Sequence, residues 1–313
     1  MSLIAAPGFG PLKISDITIN GSIIPVDFHN AITDVNVMRG INLASTLTLQ
    51  VTDPKRTILN TPGFLTQGDT IEIPDGFGNY LQFVFTQMMK ASDQLQIVFE
   101  SRSVYDLRQS RGVLQNSSDL TDAASFVQAI CNAHNIPFVG PAGDPTTNPK
   151  AYAMSTGSTY DPNEDAWTSF QRMAGTLGWR CWESAGTLFF GPDEYWYNGH
   201  WNGMNPPVNA YYNHTVPDIA EFKKDIQLMD YDWDVGMQFG DMTITCMSHL
   251  WEYNPGELIN AVGVGPANGK WLVSSMQRNF FNPQAAVVCT IPMPAALVIT
   301  PPTLPIVGGR PAI

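Results

Sequence analysis

The sequence has few cysteines and few positive charges. Its four cysteines, Cys131, Cys181, Cys246 and Cys289, are widely spaced and form no C-x-x-C pair. We therefore expect buried free thiols in a reducing cytosol, and neither a disulfide framework nor a zinc site. Lys and Arg together number 16 against 28 Asp and Glu, a net charge of −12. Because nucleic-acid binding draws its affinity from Lys and Arg, this balance argues against a protein that grips phosphates.

Signatures of common enzymes and of membrane insertion are also lacking. No Walker loop, dinucleotide fingerprint or G-x-S-x-G motif occurs, and the five histidines make no i, i+4 pair. We therefore expect no catalytic residue, cofactor or metal. Met1–Gly10 lacks the basic start of a signal peptide. The most apolar region, Ala285–Val307, is interrupted by five prolines, so we expect no membrane-spanning segment.

What the sequence does contain is a repeat. Two segments that begin at Gly68 and Gly256, 188 residues apart, follow the same order of strand, Gly-rich turn, aromatic-led strand, polar turn and strand. An alternating strand precedes each copy. The predicted strands are Ser45–Val51, Thr70–Pro74, Tyr80–Gln87 and Leu95–Ser101 in the first copy, and Asp241–Met247, Leu258–Val262, Trp271–Arg278 and Ala285–Ile291 in the second. A duplication of this kind predicts two similar small β-barrels or sandwiches.

The composition supports a mainly β fold with an α/β insert. Only 14% of residues are charged, and 26 Gly and 24 Pro are typical of a turn-rich β protein. We predict four segments: a first tube-like β-barrel over 1–105, an inserted α/β region over 106–215, a second β-barrel over 216–292 and a Pro-rich extended tail over 293–313. So Pro-rich a tail needs a partner or a neighbouring subunit to order it.

Two helices are expected in the insert. Thr121 is placed to cap a helix over Asp122–His134, and Asn163 to cap a second over Asn163–Leu177. Gly178 is placed as the residue that ends the second helix, and a hairpin follows at once.

Two acidic groups resemble sites but have simpler explanations. Asp230, Asp232 and Asp234 begin like a calcium loop, but Val235 stands where such a loop needs Gly. A strand with one acidic face explains their spacing better. Glu164 and Asp165 could be the paired carboxylates of a glycosidase, but adjacent helical residues point about 100° apart. Their position in the first turn of a helix already accounts for them.

A long loop rich in aromatic residues is predicted over Glu194–His214. Such side chains anchor protein interfaces, stack on sugars or pack locally. The interpretation that we favour is a subunit contact, with glycan binding as the alternative site. The candidate partner or glycan contacts are Tyr195, Trp196, Tyr197, Trp201, Tyr211 and Tyr212.

The order of these segments resembles the baseplate or tail-tip hub proteins of tailed bacteriophages, a group that includes the late-control-D-like hubs and the minor tail proteins of long-tailed phages. The resemblance depends on a combination of pieces, none specific alone. They are Ser45–Pro54, Gly68–Ile73, Ala166–Ala174, Gly178–Cys181, Gly186–Phe190, Pro255–Leu258 and Gly269–Val273.

The resemblance implies a structural, non-enzymatic protein of the virion, assembled in the host bacterial cytoplasm. Two tube-like barrels per chain would let a homotrimer adapt a sixfold tail tube to a threefold tip. The implied partners are a distal tail protein ring, a tape-measure protein and a central fibre or spike. An acidic lumen would let phage DNA pass without specific binding. Two other functions stay open: a receptor- or carbohydrate-binding tail protein that uses the aromatic loop, and a cell-wall hydrolase that uses Glu164.

Overall fold

A computed structural model describes residues 17–74, 80–112, 122–142, 163–197, 208–211, 226–234, 241–247, 255–281 and 284–290. The helices are α1 (Val26–Ala31), α2 (Arg102–Gln109), α3 (Ala123–Ala133), α4 (Ala166–Leu177) and α5 (Asp193–Tyr197). The strands are β1 (Thr18–Ile19), β2 (Ser22–Ile23), β3 (Ile32–Gly40), β4 (Thr46–Thr52), β5 (Thr70–Pro74), β6 (Tyr80–Ala91), β7 (Gln94–Ser101), β8 (Phe138–Val139), β9 (Arg180–Ser184), β10 (Thr187–Gly191), β11 (Val208–Tyr211), β12 (Ile226–Asp234), β13 (Asp241–Met247), β14 (Leu258–Val262), β15 (Gly269–Asn279) and β16 (Gln284–Thr290). A 3-10 turn spans Gly265–Ala267.

The chain is mainly β, as the sequence predicts, and the repeat is visible in how its strands pair. One 13-stranded sheet carries both halves, in the order β14-β11-β12-β13-β16-β15-β3-β4-β7-β6-β5-β1-β2. In the first half, β3 pairs with β4, β4 with β7, β7 with β6 and β6 with β5. In the second half, β12, β13, β16, β15 and β14 pair in the same succession.

The two copies also share a β-bulge. The register shifts between Phe85 and Gln87 on β6, and between Val273 and Ser275 on β15, and the two bulges are 188 residues apart. At each bulge a hydroxyl donates to the neighbouring strand: Thr86 Oγ1 to Val98 O at 3.0 Å, and Ser274 Oγ to Val288 O at 2.9 Å. Coincident bulges are positional features rather than accidents.

This register corrects one detail of the predicted repeat. The sequence aligns Tyr80 with Trp271, because each is the first aromatic residue of its strand. In the sheet, Ile71 stands opposite Phe83, and Ile259 stands opposite Trp271. Phe83 is therefore the equivalent of Trp271.

The two halves differ in closure. In the second half β11 pairs with both β12 and β14, and β14 with β15, so six strands form a cycle of pairings. In the first half β1 pairs with β5 and β2, but no described residue of β1 or β2 pairs with β3. Over its described residues the first half is therefore an open sheet rather than a closed barrel, and α1 lies between β2 and β3 in the chain.

Alternation along the strands builds the core. Leu47, Leu49 and Val51 of β4 are fully buried, and the residues between them are partly exposed. Buried side chains of both halves belong to one cluster. The halves therefore share a continuous apolar core, the arrangement that area burial favours.

The α/β insert has its own core, in which α3 and α4 pack against β9 and β10. Its helix caps differ from those predicted. Asp122, not Thr121, caps α3 by accepting from Ser125 N at 2.6 Å. Asp165, not Asn163, caps α4 by accepting from Thr168 N at 2.8 Å. Gly178 ends α4 with a φ of 67°, as predicted.

Two other segments differ from the sequence prediction. The region 194–214, predicted as loop, contains most of α5 and the whole of β11, which pairs with strands of the second half. The N-terminal region, predicted as part of the first β-barrel, contains the helix α1. A turn at Asn20 and Gly21 joins β1 and β2, with φ values of 51° and 72°.

The four cysteines are free and buried, which confirms the prediction. Burial raises the pKa of Cys131 to about 12. None of the described helices is both long enough and apolar enough to cross a bilayer.

Candidate functional site

The candidate site is the junction where the two halves and the insert meet. β3 of the first half pairs antiparallel with β15 of the second through five residue pairs, from Ser275 opposite Gly40 to Asn279 opposite Asn36. The two halves are thus joined by an antiparallel ladder, which fixes the register of one half against the other.

Two arginines are buried at the junction. Arg39 is 1% exposed and Arg278 is 7% exposed. Burial and the neighbouring charge of Arg39 lower the pKa of Arg278 to about 10. The Arg278 guanidinium lies 4.8 Å from the ring centroid of Phe280, a cation–π contact. A pKa of about 10 leaves Arg278 charged at neutral pH, so the junction holds buried positive charge.

A buried carboxylate ties the insert to the first half. Glu183 on β9 is fully buried, and its two oxygens accept from Ser45 N at 3.1 Å and from Gly186 N at 2.6 Å. Ser45 Oγ donates to Glu183 O at 3.0 Å. Hydrogen bonds to a buried charge contribute about 1.5–3 kcal/mol each. The hairpin of the insert is thereby fixed to the end of the β3–β4 turn.

An aromatic cluster fixes the insert to the second half. It consists of Trp182, Phe189, Trp196 and Leu272. The Trp182 and Phe189 rings stack with centroids 5.0 Å apart, and Trp196 meets Trp182 edge-on at 4.7 Å. Leu272 on β15 belongs to the second half, so these rings join the insert to the strand that also carries the junction.

The backbone approaches the aromatic cluster at Gly256. A Cβ at this position would overlap Trp182 Cζ2 and stand 3.0 Å from Cη2. Its φ of 92° is also one that side chains rarely adopt. The sequence marks Gly256 as the first residue of the second repeat, but nothing in the sequence indicates that Trp182 lies against it.

The six aromatic residues predicted as partner or glycan contacts differ in burial and in their partners. Trp196 is 1% exposed, and its Nε1 donates to Gly191 O at 3.2 Å, so it packs locally. Tyr195 is partly buried, and its hydroxyl donates to Gly140 O at 3.3 Å. Tyr197 and Tyr211 are described only as part of α5 and β11. Trp201 and Tyr212 lie outside the described residues.

Glu164 and Asp165 do not form a pair that acts on one bond. Glu164 accepts from Arg172 Nη2 at 2.7 Å and from Ser169 Oγ at 2.7 Å. Hydrogen bonding to Arg172 lowers the pKa of Glu164. A glycosidase acid needs a raised pKa, so this environment is the opposite of the one required.

A Ser–His contact was missed by the sequence analysis. Ser110 Oγ lies 2.6 Å from His134 Nε2, and these residues end α2 and α3. In the described part of the chain no carboxylate orients the other ring nitrogen, as a catalytic base requires. The contact joins two helix ends.

A small polar cavity lies beside the junction. Its volume is about 240 Å³, and Arg39, Ser101, His134 and Glu183 are among the residues that line it. Each oxygen of Glu183 accepts one main-chain hydrogen bond, so this carboxylate is held in place by the fold itself. Asp230, Asp232 and Asp234 lie in β12, as predicted, and no group of His, Cys, Asp or Glu in the described ranges could hold a metal.

Solved structures share this fold. The chain is similar to a 43 kDa tail protein of prophage MuSo2 from Shewanella oneidensis, with a TM-score of 0.52, 12% identity, and coverage of 88% of this chain and 97% of that one. It is similar to the prophage tail protein gp18 of Listeria monocytogenes, with a TM-score of 0.51, 11% identity, and coverage of 88% and 94%.

A third structure is the E. coli c3393 protein, a component of the type VI secretion system described as structurally similar to the T4 bacteriophage tail proteins gp27 and gp5. Its TM-score is 0.50 at 14% identity, over 88% of this chain and 76% of that one. No protein-family model and no curated protein sequence matches. In fold, this chain is therefore similar to the tail proteins of phages and prophages and to their type VI secretion counterpart.

Proposed function

We propose that the chain is a structural hub of a phage tail tip or baseplate, in which three copies form a ring. The observation that carries this proposal is the duplicated strand order joined by the β3–β15 ladder. Two equivalent wall units per chain give six in a trimer, which matches a sixfold tube. The likeness in fold to tail proteins supports the same role.

The geometry of the joint suits a ring. The β3 edge of one unit meets the β15 edge of the next, so the contact is head-to-tail rather than self-complementary. Head-to-tail contacts close into rings when the rotation fits. The ring would be built in the host cytoplasm and lie at the tail tip, between the distal tail protein ring with its tape-measure protein and the central fibre or spike.

The net charge supports passage of DNA. With a charge of −12, three chains repel a phosphate backbone rather than hold it. DNA would cross the lumen without specific binding. The chain's role is thus geometric, and no step of it requires catalysis.

The test is the symmetry of the assembled particle. Mass photometry of the full chain, followed by electron microscopy of tail tips, should give three copies with six similar wall units. Six copies per ring, or a tail tip that lacks this chain, would contradict the proposal. For the receptor-binding alternative, a glycan array on the full chain should show no binding that Trp201→Ala abolishes.

A further inference from the structure

The strand β15 shows where a unit of this fold accepts its neighbour. Its first residues pair with β14, and its last five, Ser275–Asn279, pair with β3. The equivalent residues of the first half lie 188 positions earlier, at Gln87–Ala91 of β6. These residues pair with β7 on one side, and no described strand pairs with their other side.

The strand β12 has the complementary opening. It is the equivalent of β3, because each pairs with the first strand of its repeat and each has a bulge near its start, before Asp34 in β3 and before Asp230 in β12. β12 meets β11 only through Ile226 and Gln227. Its outer edge from Leu228 to Asp234 has no partner strand in the described ranges.

We infer that β12 of one copy of the chain pairs with β6 of the next copy, and so repeats between chains the β3–β15 joint found within each chain. The inference rests on the proposed ring, and it names the surface that closes it. Transfer of the observed register places Ala91 opposite Asp232, Lys90 opposite Trp233 and Met89 opposite Asp234.

Hydrogen bonds at the internal joint define the pairing type. Phe280 N donates to Val35 O at 2.8 Å. This bond flanks the pair of Asn36 and Asn279, which is therefore a non-hydrogen-bonded pair, the type in which the two Cα atoms lie about 4.5 Å apart. By equivalence, Ala91 and Asp232 form the same close pair between chains.

The same alternation predicts where the main chain of β6 points. If Ala91 is in a non-hydrogen-bonded pair, Lys90 directs its N–H and C=O toward the incoming β12. The main-chain N–H of Lys90 then bonds only across the interface, because the N–H groups of Met89 and Ala91 point toward β7.

The charges of the two edges favour this pairing over its alternatives. Lys90 on β6 is exposed, and Asp232 on β12 is exposed, with Asp230 and Asp234 two residues to either side of it. Two β12 edges would bring six carboxylates together, which would repel each other, whereas Gln87–Ala91 of β6 contains no acidic residue. In the inferred register Lys90 lies opposite Trp233, on the other face of the sheet from Asp232, so the preference comes from the repulsion that is avoided. The acidic pattern that resembles a calcium loop is thus explained as a device that selects a head-to-tail partner.

A disulfide tests the register directly. Because the four native thiols are buried, the double variant Ala91→Cys and Asp232→Cys carries the two accessible thiols. The inferred register places them opposite each other across the interface between two chains, where a disulfide can form. Oxidation of the assembled double variant should give a covalent ladder that ends at three chains, and a mixture of the two single variants should give only mixed dimers. Asn36→Cys with Asn279→Cys is the matched control, which should close within one chain.

Proline tests the main-chain bond. Lys90→Pro removes the outward N–H and leaves the β6–β7 ladder intact, the situation in which edge strands tolerate proline. It should weaken ring assembly at least tenfold with little change in monomer melting, whereas Lys90→Ala, which keeps the N–H, should weaken assembly far less.

The outcomes separate the two proposals. Trimers that form no mixed disulfide, or that assemble equally well with Lys90→Pro, would overturn this interface and leave the trimeric hub standing. A chain that is absent from tail tips, or that stays monomeric there, would overturn both.

Discussion

The contact between Gly256 and Trp182 provides the sharpest test of how the insert is held. Gly256→Ala should destabilise the chain through two effects. One is the strain of a non-glycine residue at φ 92°, about 1–2 kcal/mol. The other is the overlap of the new Cβ with the buried Trp182 indole, about 1–3 kcal/mol for an overpacked core. Together they predict a loss of about 2–5 kcal/mol in the free energy of unfolding.

The repeat supplies a matched control. Gly68 is the equivalent residue of the first half, with a φ of 97°, and a Cβ there would meet only the Tyr105 hydroxyl at 3.7 Å. Gly68→Ala therefore carries the backbone strain without the overlap. In urea unfolding, the free energy of unfolding of Gly256→Ala should be about 1–3 kcal/mol lower than that of Gly68→Ala.

A double-mutant cycle identifies the atoms responsible. Trp182→Phe replaces the indole with a smaller phenyl ring that lacks Cζ2 and Cη2, so Gly256→Ala should cost less stability in that background. Equal losses for Gly256→Ala and Gly68→Ala, or a cycle with no coupling energy, would refute the reasoning.

Three further predictions concern charges, caps and the tail. Arg172 lowers the folded-state pKa of Glu164, so ionised Glu164 stabilises the fold above its ordinary pKa of 4.5, and this stability is lost as the pH falls through the lowered pKa. In urea unfolding, the free energy of unfolding of Glu164→Gln should depend less on pH between about pH 5 and 3 than that of the unsubstituted chain. The same pH dependence in both would contradict this. Asp165→Ala should cost about 1 kcal/mol through loss of the α4 cap, and Asp165→Asn much less, in the same assay; equal losses would exclude the cap. Deletion of 293–313 should weaken assembly by mass photometry more than it lowers the monomer melting temperature, and a comparable loss in the monomer would show that the tail belongs to the fold.

Most strands of the large sheet could be predicted from the sequence, because alternation of apolar residues and turn residues is visible within each strand and its ends. Leu47, Leu49 and Val51 alternate in the sequence and are buried in the sheet, and Gly178 ends its helix as its position suggests. A missed feature, α1, is a short helix next to strands; its formation depends on tertiary contacts such as that between Phe28 and Phe64.

The candidate site was much less accessible to such reasoning. Glu183 and Ser45 are 138 residues apart, and neither has a neighbour in sequence that suggests the other. Trp196 stands in a run of aromatic residues that favours a surface platform, but its burial depends on Trp182 and Phe189. Asp165 and Asp122 took the caps because each lies one or two residues nearer the helix than the residue predicted, where a carboxylate reaches the N3 amide.

The position of β15 has a consequence for how the chain comes apart. This strand forms ladders with β14, β16 and β3 at once. Opening of either half must therefore strip hydrogen bonds from the same strand, and amide exchange should be slowest along it. A destabilising substitution in one half would then also destabilise the other, and the two halves would unfold in one cooperative transition rather than independently.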